Sequence, residues 1–230
     1  MSTTTSSHQP LRIGINGLGR IGRLVLRQLL HSTDSYIVTH VNDSGGSSTL
    51  MAYLLEFDSV HGKCKDSITL SAYKENTWVI NKNPERILHF SSISNIKDGP
   101  WMHVDIVLDC TGSFKDIKAL NPYFMMNVQR VLVACPVEEA MNVVVGCNHA
   151  LILKEHRIVT AASCTTNCIA PIISVLHKNL IIKHGTITTI HDVTNTQVVV
   201  DGPRKNLKDF RRARSALMVR HTSFNSYLNL

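Results

Sequence analysis

No apolar run in this chain of 230 residues reaches the roughly 18 to 20 residues that a membrane-spanning helix needs, so a soluble globular protein is expected. The first ten residues are polar and lack the charged start and apolar stretch of a secretory signal; they read as a flexible leader. No CxxC pair occurs. The six cysteines, at 64, 110, 135, 147, 164 and 168, are scattered through apolar segments, which argues against both a zinc site and a disulfide framework and favours a reducing cytoplasm. Aromatic residues make up 6% of the chain, too few for the base-stacking surfaces that usually accompany single-stranded nucleic-acid binding. There is no internal repeat and, past the leader, no extended low-complexity segment.

Acidic residues are outnumbered, giving a formal charge of +7. Much of the excess lies in Arg204, Lys205, Lys208, Arg211, Arg212, Arg214 and Arg220, against Asp201 and Asp209 in the same stretch. Such a cluster attracts phosphate-bearing ligands or nucleic acid, or is a solvated surface loop.

What is present is an alternation of strand-like and helical runs. Leu11 to Ile15 is apolar, a helical pattern begins near Arg20, and Tyr36 to Val41 is again strand-like; this is the pattern of a βαβ unit and a parallel sheet. In the helix, Ile21, Leu24, Val25 and Leu29 are spaced to form one apolar face. Further buried strands are expected at Val104 to Leu108, Val131 to Ala134 and Val143 to Val145. From Ile187 the character changes to Thr-rich alternating runs, Ile187 to His191 and Gln197 to Val200, which points to a second domain. The expected fold class is α/β: a Rossmann-type doubly wound parallel sheet followed by an α+β domain.

Between the first strand and its helix lies Gly17-Leu18-Gly19-Arg20-Ile21-Gly22, a complete GxGxxG. Glycines there let the backbone turn tightly and approach a pyrophosphate, and the helix N-terminus aims N–H groups at the phosphate charge. Asp43 lies 21 residues beyond Gly22, just after the second strand. A carboxylate in that place hydrogen-bonds a ribose 2′-hydroxyl and repels a 2′-phosphate, which favours NAD over NADP. The competing reading is glycines that merely serve a tight strand-to-helix turn.

Ala161-Ala162-Ser163-Cys164-Thr165-Thr166-Asn167-Cys168 places a cysteine where the strand-like Arg157 to Thr160 hands over to a helical run through Ile169, Ile172, Ile173, Leu176 and Leu180. Near a helix N-terminus the unpaired backbone N–H groups favour an anionic sulfur and can hydrogen-bond an oxyanion formed at the carbon it attacks. Taken alone, such a cysteine is as readily a buried, inert thiol.

Ile15 to Arg23, Val41-Asn42-Asp43, Ser163 to Cys168 and Ile190-His191 together closely resemble the glyceraldehyde-3-phosphate dehydrogenase family. The resemblance runs from Leu11 to about Leu217 and includes Asp58 to Gly62, Cys110-Thr111-Gly112, Ala140 to Val144 and Arg211 to Arg214. It implies domains at 11–162, binding NAD, and 163–217, carrying part of the catalytic machinery. Cys164 would be the nucleophile and His191 the base, with a thiohemiacetal oxidised to a thioester that inorganic phosphate releases as an acyl phosphate. Cys168 reads as a helix-packing thiol. Asn16, Gly17, Gly19, Arg20, Ile21 and Gly22 would hold the phosphates and adenosine side of NAD, Asp43 its ribose, and Thr111 a place near the sheet edge. Ser163, Thr165 and Thr194 would line the sugar-phosphate and phosphate sites. The same resemblance implies a homo-oligomer in the complete family form and a cytoplasmic role in glycolysis and glucose metabolism; from run length and aromatic content, no membrane and no nucleic-acid partner are expected.

Past Leu217 the sequence departs from the family pattern, so 218–230 reads as a divergent tail and the catalytic domain as incomplete. Cys64 and Ser94 also stand where the family has an aromatic and a basic residue. Two rivals follow: a non-catalytic dinucleotide-binding remnant, and a dehydrogenase of a related sugar phosphate such as erythrose 4-phosphate.

Overall fold

Strand β1 (Leu11–Asn16) runs into helix α1 (Arg20–Leu29) and the chain returns as β2 (Tyr36–Asn42), parallel to β1. In this computed structural model, which describes residues 9–30, 35–71 and 74–190, helix α2 (Ser48–Glu56) comes next. One short antiparallel ribbon of two strands follows, β3 (Phe57–Asp58) with β4 (Gly62–Lys63), then β5 (Ile68–Leu70), β6 (Thr77–Ile80) and β7 (Ile87–Ser91). After β8 (Ile106–Asp109) come α3 (Ile117–Met125), β9 (Arg130–Val133), β10 (Met141–Asn142), β11 (Ile158–Thr160) and α4 (Cys164–Leu180). Nine strands form one sheet in the order β10-β11-β9-β8-β1-β2-β7-β6-β5, parallel from β10 to β7, with β6 and β5 antiparallel at the edge. Strand order reverses beside β1, the doubly wound pattern expected from the alternating runs. The chain divides into two compact units, residues 1–171 and 172–230, and the whole sheet belongs to the first.

The period of two in β1 builds both faces of the sheet. Ile13 and Ile15 enter a core with Leu18, Leu26, Val41, Leu55 and Trp78. Gly14 faces the other way, where an added Cβ would meet Trp101 and Val104 at 3.1 Å, members of a second core with Val107, Tyr123 and Val131. Strand β2 would lose this alternation but for a bulge: Ile13 pairs with Val38 and Gly14 with His40, leaving Thr39 as the extra residue. Val38 and Val41 thus share the first core, and His40 turns to Trp101, edge-on with ring centroids 5.7 Å apart.

Three sequence expectations need correction in detail. The packed face of α1 is not the one its spacing indicated: Ile21 is 50% exposed, whereas Gly22, Leu26 and Arg27 are buried. Arg27 reaches the end of α2, donating from Nε to Leu55 O (2.8 Å), Nη1 to Gly62 O (3.0 Å) and Nη2 to Glu56 O (3.1 Å). A cation is favourable at that negative helix end. Second, Val143 and Val144 are buried but lie beyond the strand, which stops at Asn142 because Val144 N donates to the Asn148 side chain instead of a ladder partner. Third, residues 187–190 form no strand beyond a single bridge at Thr189, and Gln197 to Val200 lies outside the described residues.

His40 makes the first unit acid-sensitive. It is 8% exposed, with Nε2 2.8 Å from Ser91 Oγ, and it stands opposite His89 on β7. Burial first, and then the charge of His89, hold its pKa down to about 4 against the ordinary 6.5; His89 is itself lowered by burial and by Lys74. The unfolded chain takes up this proton near 6.5 and the folded chain only near 4, so stability is full above pH 6.5 and declines as pH falls toward 4. The slope is ~1.4 kcal/mol per pH unit. Denaturant unfolding of the wild type and His40→Gln at pH 7 and pH 5 is expected to show an acid loss smaller by about 2 kcal/mol in the variant; equal losses would rule His40 out as the sensor.

Candidate active site

The described candidate residues cluster where Rossmann-type sheets bind ligands, beyond the carboxyl ends of parallel strands. The glycine loop follows β1, Asp43 follows β2, Thr111 follows β8 and the cysteine segment follows β11. Parallel pairing among β2, β1, β8, β9 and β11 puts these ends on one sheet edge.

Each glycine of the loop has a different duty. Gly17 has φ +93°, and a Cβ there would lie 2.7 Å from the backbone of Cys110 and Thr111, so the loops after β1 and β8 touch. A Cβ on Gly22 would meet Gly17 O at 1.9 Å. Gly19 has nothing within 4 Å of its Cβ position. It is the residue before α1 and has no side-chain cap, so it leaves open space at the start of the helix. Asp43 clamps the loop from the side: Oδ2 accepts from Leu18 N at 2.6 Å, and Oδ1 from Gly45 N at 2.7 Å. Arg20 and Ile21 are exposed at the first turn of α1. A tight loop, an open helix start and a carboxylate beyond the second strand fit a dinucleotide.

Asn16 is 5% exposed and its side chain is engaged on both sides. Nδ2 donates to Tyr123 Oη at 2.6 Å, and Oδ1 accepts from Asn42 Nδ2 at 2.8 Å. Tyr123 donates to Asp109 Oδ2 (2.8 Å), and Asp109 Oδ1 accepts from Thr111 N (3.1 Å) and Thr111 Oγ1 (2.7 Å). Asp109 is 1% exposed; burial raises its pKa, against the hydrogen bonds from Thr111 and Tyr123, which lower it. Sequence reading passed over Asp109 and Tyr123. The available signal was a carboxylate closing the apolar run Ile106-Val107-Leu108, since a buried acid must find donors.

The cysteine segment is shaped by a second set of bonds. Ala162 adopts the left-handed φ of 55° while 6% exposed, a strained conformation for a residue with a Cβ. Thr160 Oγ1 accepts from Ala162 N (3.0 Å) and donates to Asn142 Oδ1 (2.6 Å). Asn167 Nδ2 donates back to Ala161 O (2.6 Å) and Ser163 O (2.9 Å). Ser163 Oγ caps the helix by accepting from Thr166 N at 3.0 Å. Cys164 is consequently the first residue of α4, and it is exposed. Thr165 follows it, half-buried.

All six cysteines are free. Burial, with Asp109 and Cys135 nearby, pushes the Cys110 thiol up to about 12; Cys64 is buried. Cys164 and Cys168 are the exposed pair, so Cys168 is not the packed thiol expected of it. His191 and Thr194 lie outside the described residues. Among the described residues there is no His, Cys, Asp and Glu grouping that could hold a metal, and no helix is long and apolar enough to cross a membrane.

Comparison with known proteins identifies the family that the sequence resembles. Residues 11–117 match the glyceraldehyde 3-phosphate dehydrogenase NAD-binding domain, and residues 163–221 match the C-terminal domain of the same enzyme family. The chain is 47% identical over 209 residues to glyceraldehyde-3-phosphate dehydrogenase 3 of Nostoc sp., covering 89% of this chain and 59% of that protein. It is 40% identical over 206 residues to the enzyme of Phytophthora infestans, and 38% identical over 208 to the cytosolic enzyme of Sinapis alba; each match covers 90% of this chain and 60% of the relative. The chain thus spans about 60% of the length of these curated relatives.

Proposed function

We propose, for a chain that belongs to the glyceraldehyde-3-phosphate dehydrogenase family and whose cofactor is NAD, phosphorylating oxidation of glyceraldehyde 3-phosphate through Cys164. The observation that carries this reading is the exposed Cys164 at the first residue of α4, on the same sheet edge as a glycine cradle with an open helix start.

In this reading Gly17, Gly19 and the first turn of α1 with Arg20 and Ile21 hold the pyrophosphate, Asp43 the ribose, and Asn16 and Thr111 brace the loops around them. The Cys164 sulfur adds to the aldehyde carbon, and N–H groups of the first turn of α4 stabilise the oxyanion that forms. His191 takes the hydroxyl proton of the resulting thiohemiacetal. NAD, when bound, supplies the hydride acceptor that the conversion to a thioester requires. Ser163, Thr165 and Thr194 hydrogen-bond phosphate oxygens without burying a charge, orienting the sugar phosphate and the inorganic phosphate that releases the acyl group as an acyl phosphate.

The test follows NAD reduction by absorbance with glyceraldehyde 3-phosphate, with and without inorganic phosphate. Turnover that requires both is expected; NAD binding with no turnover under any of these conditions would overturn the catalytic reading. The ribose assignment has its own measurement. Asp43→Ala is expected to weaken NAD about tenfold or more and NADP less, because the lost acceptor serves a 2′-hydroxyl and repels a 2′-phosphate. Titration of both dinucleotides by protein fluorescence reads this, and an unchanged preference would remove Asp43 from the ribose.

A further inference from the structure

A single hydrogen-bonded chain crosses the sheet beneath the glycine loop, and its polarity follows from its partners. Asn42 Oδ1 accepts from Ser91 Oγ at 2.6 Å, so Ser91 has no proton left for His40, and His40 Nε2 is the donor in their 2.8 Å contact. Asn42 Nδ2 then donates to Asn16 Oδ1, Asn16 Nδ2 to Tyr123 Oη, and Tyr123 Oη to Asp109 Oδ2. From Ser91 onward every donor points the same way, from β7 through β2, β1 and Tyr123 of α3 to the carboxylate at the end of β8. On its far side Asp109 receives Thr111 N and Oγ1.

Backbone contacts tie this chain to the loops above it. Cys110 N donates to Asn16 O at 2.7 Å, Gly17 N donates to Asn42 O at 2.8 Å, and the Gly17 Cβ position abuts Cys110 and Thr111. A change in where Asn16 or Asp109 sits therefore moves the start of the glycine loop or Thr111. Tyr123 is fully buried, its ring packed edge-on to Trp101 with centroids 5.4 Å apart, so α3 carries its hydroxyl to the two sheet residues at a fixed position.

We propose that Asp109 and Tyr123 are positioning residues for the dinucleotide: the Tyr123 hydroxyl joins the Asp109 carboxylate to the Asn16 amide, and this joint holds the Gly17–Gly19 loop and Thr111 in the geometry that binds the pyrophosphate side of NAD. Neither residue touches the ligand. The proposal rests on dinucleotide binding at the glycine loop, and it extends that reading by naming residues that set affinity from below.

The test is NAD affinity by calorimetry on the full chain, at a temperature where each variant is folded. Tyr123→Phe keeps the ring and removes the joint; Asp109→Asn keeps the shape and replaces an acceptor with a donor. Each is expected to weaken NAD roughly tenfold, and the double variant no more than about twofold beyond either single one, because both act through the same bond. Arg27→Met serves as the control: it removes a buried cation's three bonds to carbonyls at the other end of α1, lowers stability, and leaves NAD affinity within about twofold. Tyr123→Phe reports where Asp109→Asn fails to fold. Wild type that binds NAD with both variants equally tight overturns the proposal and leaves the dinucleotide reading standing, as does an equal loss in Arg27→Met. Wild type that binds no NAD overturns both.

Discussion

Cys164→Ser is expected to lower aldehyde oxidation at least about 10³-fold while changing NAD affinity less than about twofold. The sulfur is exposed, so the substitution opens no cavity, and the hydroxyl is close in volume. The N-cap bond from Ser163 and the Asn167 bonds to Ala161 and Ser163 do not involve the Cys164 side chain, so the strained turn at Ala162 should persist. What changes is the nucleophile: an alcohol is a far weaker one near neutral pH than a thiol. Cys168→Ser is the companion measurement. Cys168 is also exposed and lies one turn further along α4, so if the chemistry needs the first turn, its loss should cost less than about threefold. Equal activity in Cys164→Ser, or an equal collapse in Cys168→Ser, would end the assignment of Cys164 as nucleophile.

The parts of this site legible in the sequence are those whose chemistry is local. GxGxxG between a strand and a helix is a statement about turn geometry, and the structure gives Gly17 a positive φ, Gly17 and Gly22 no room for a Cβ, and Gly19 open space. Asp43 was found by its spacing from a loop it does in fact bond. The helix start near Cys164 followed from apolar periodicity after a strand, and α4 begins at Cys164 itself. Long-range partners were not legible. Nothing in the spacing of residues 16, 109 and 123 says that they meet; parallel crossover connections bring them together across β1, β8 and α3. The bulge at Thr39, which decides that His40 and not Val38 faces Trp101, has no sequence mark either, because a one-residue slip in a strand exchanges the two faces without altering local preference. The face of α1 was misjudged for a related reason. Arg27 is buried because three carbonyls at the end of α2 and in the following loop receive it, partners that lie 28 to 35 residues away.

Gly22→Ala should abolish dinucleotide binding, with NAD affinity falling more than about 100-fold, and should cost roughly 2 to 4 kcal/mol of stability. Helix preference alone predicts the opposite sign, since alanine in a helix is favoured over glycine by about 1 kcal/mol. Packing decides the outcome. The new methyl would lie 1.9 Å from Gly17 O and 2.9 Å from Gly17 C, and this neighbour is backbone, not the end of a flexible side chain. Gly17 cannot retreat cheaply: its N–H is held by Asn42 O, and its own Cβ position already meets Cys110 and Thr111. Either α1 lifts from β1 or the loop moves, and both displace the N–H groups that would face the pyrophosphate. Gly19→Ala separates steric failure of the fold from steric exclusion of the ligand. With nothing within 4 Å and an ordinary φ of −64°, its methyl should change stability by less than about 0.5 kcal/mol. If the pyrophosphate sits against this turn, NAD affinity falls all the same. A stable Gly19→Ala with weakened NAD, beside an unstable Gly22→Ala with none, is the expected pattern; full NAD affinity in Gly22→Ala would mean that the close packing of α1 on the loop is not what shapes the site.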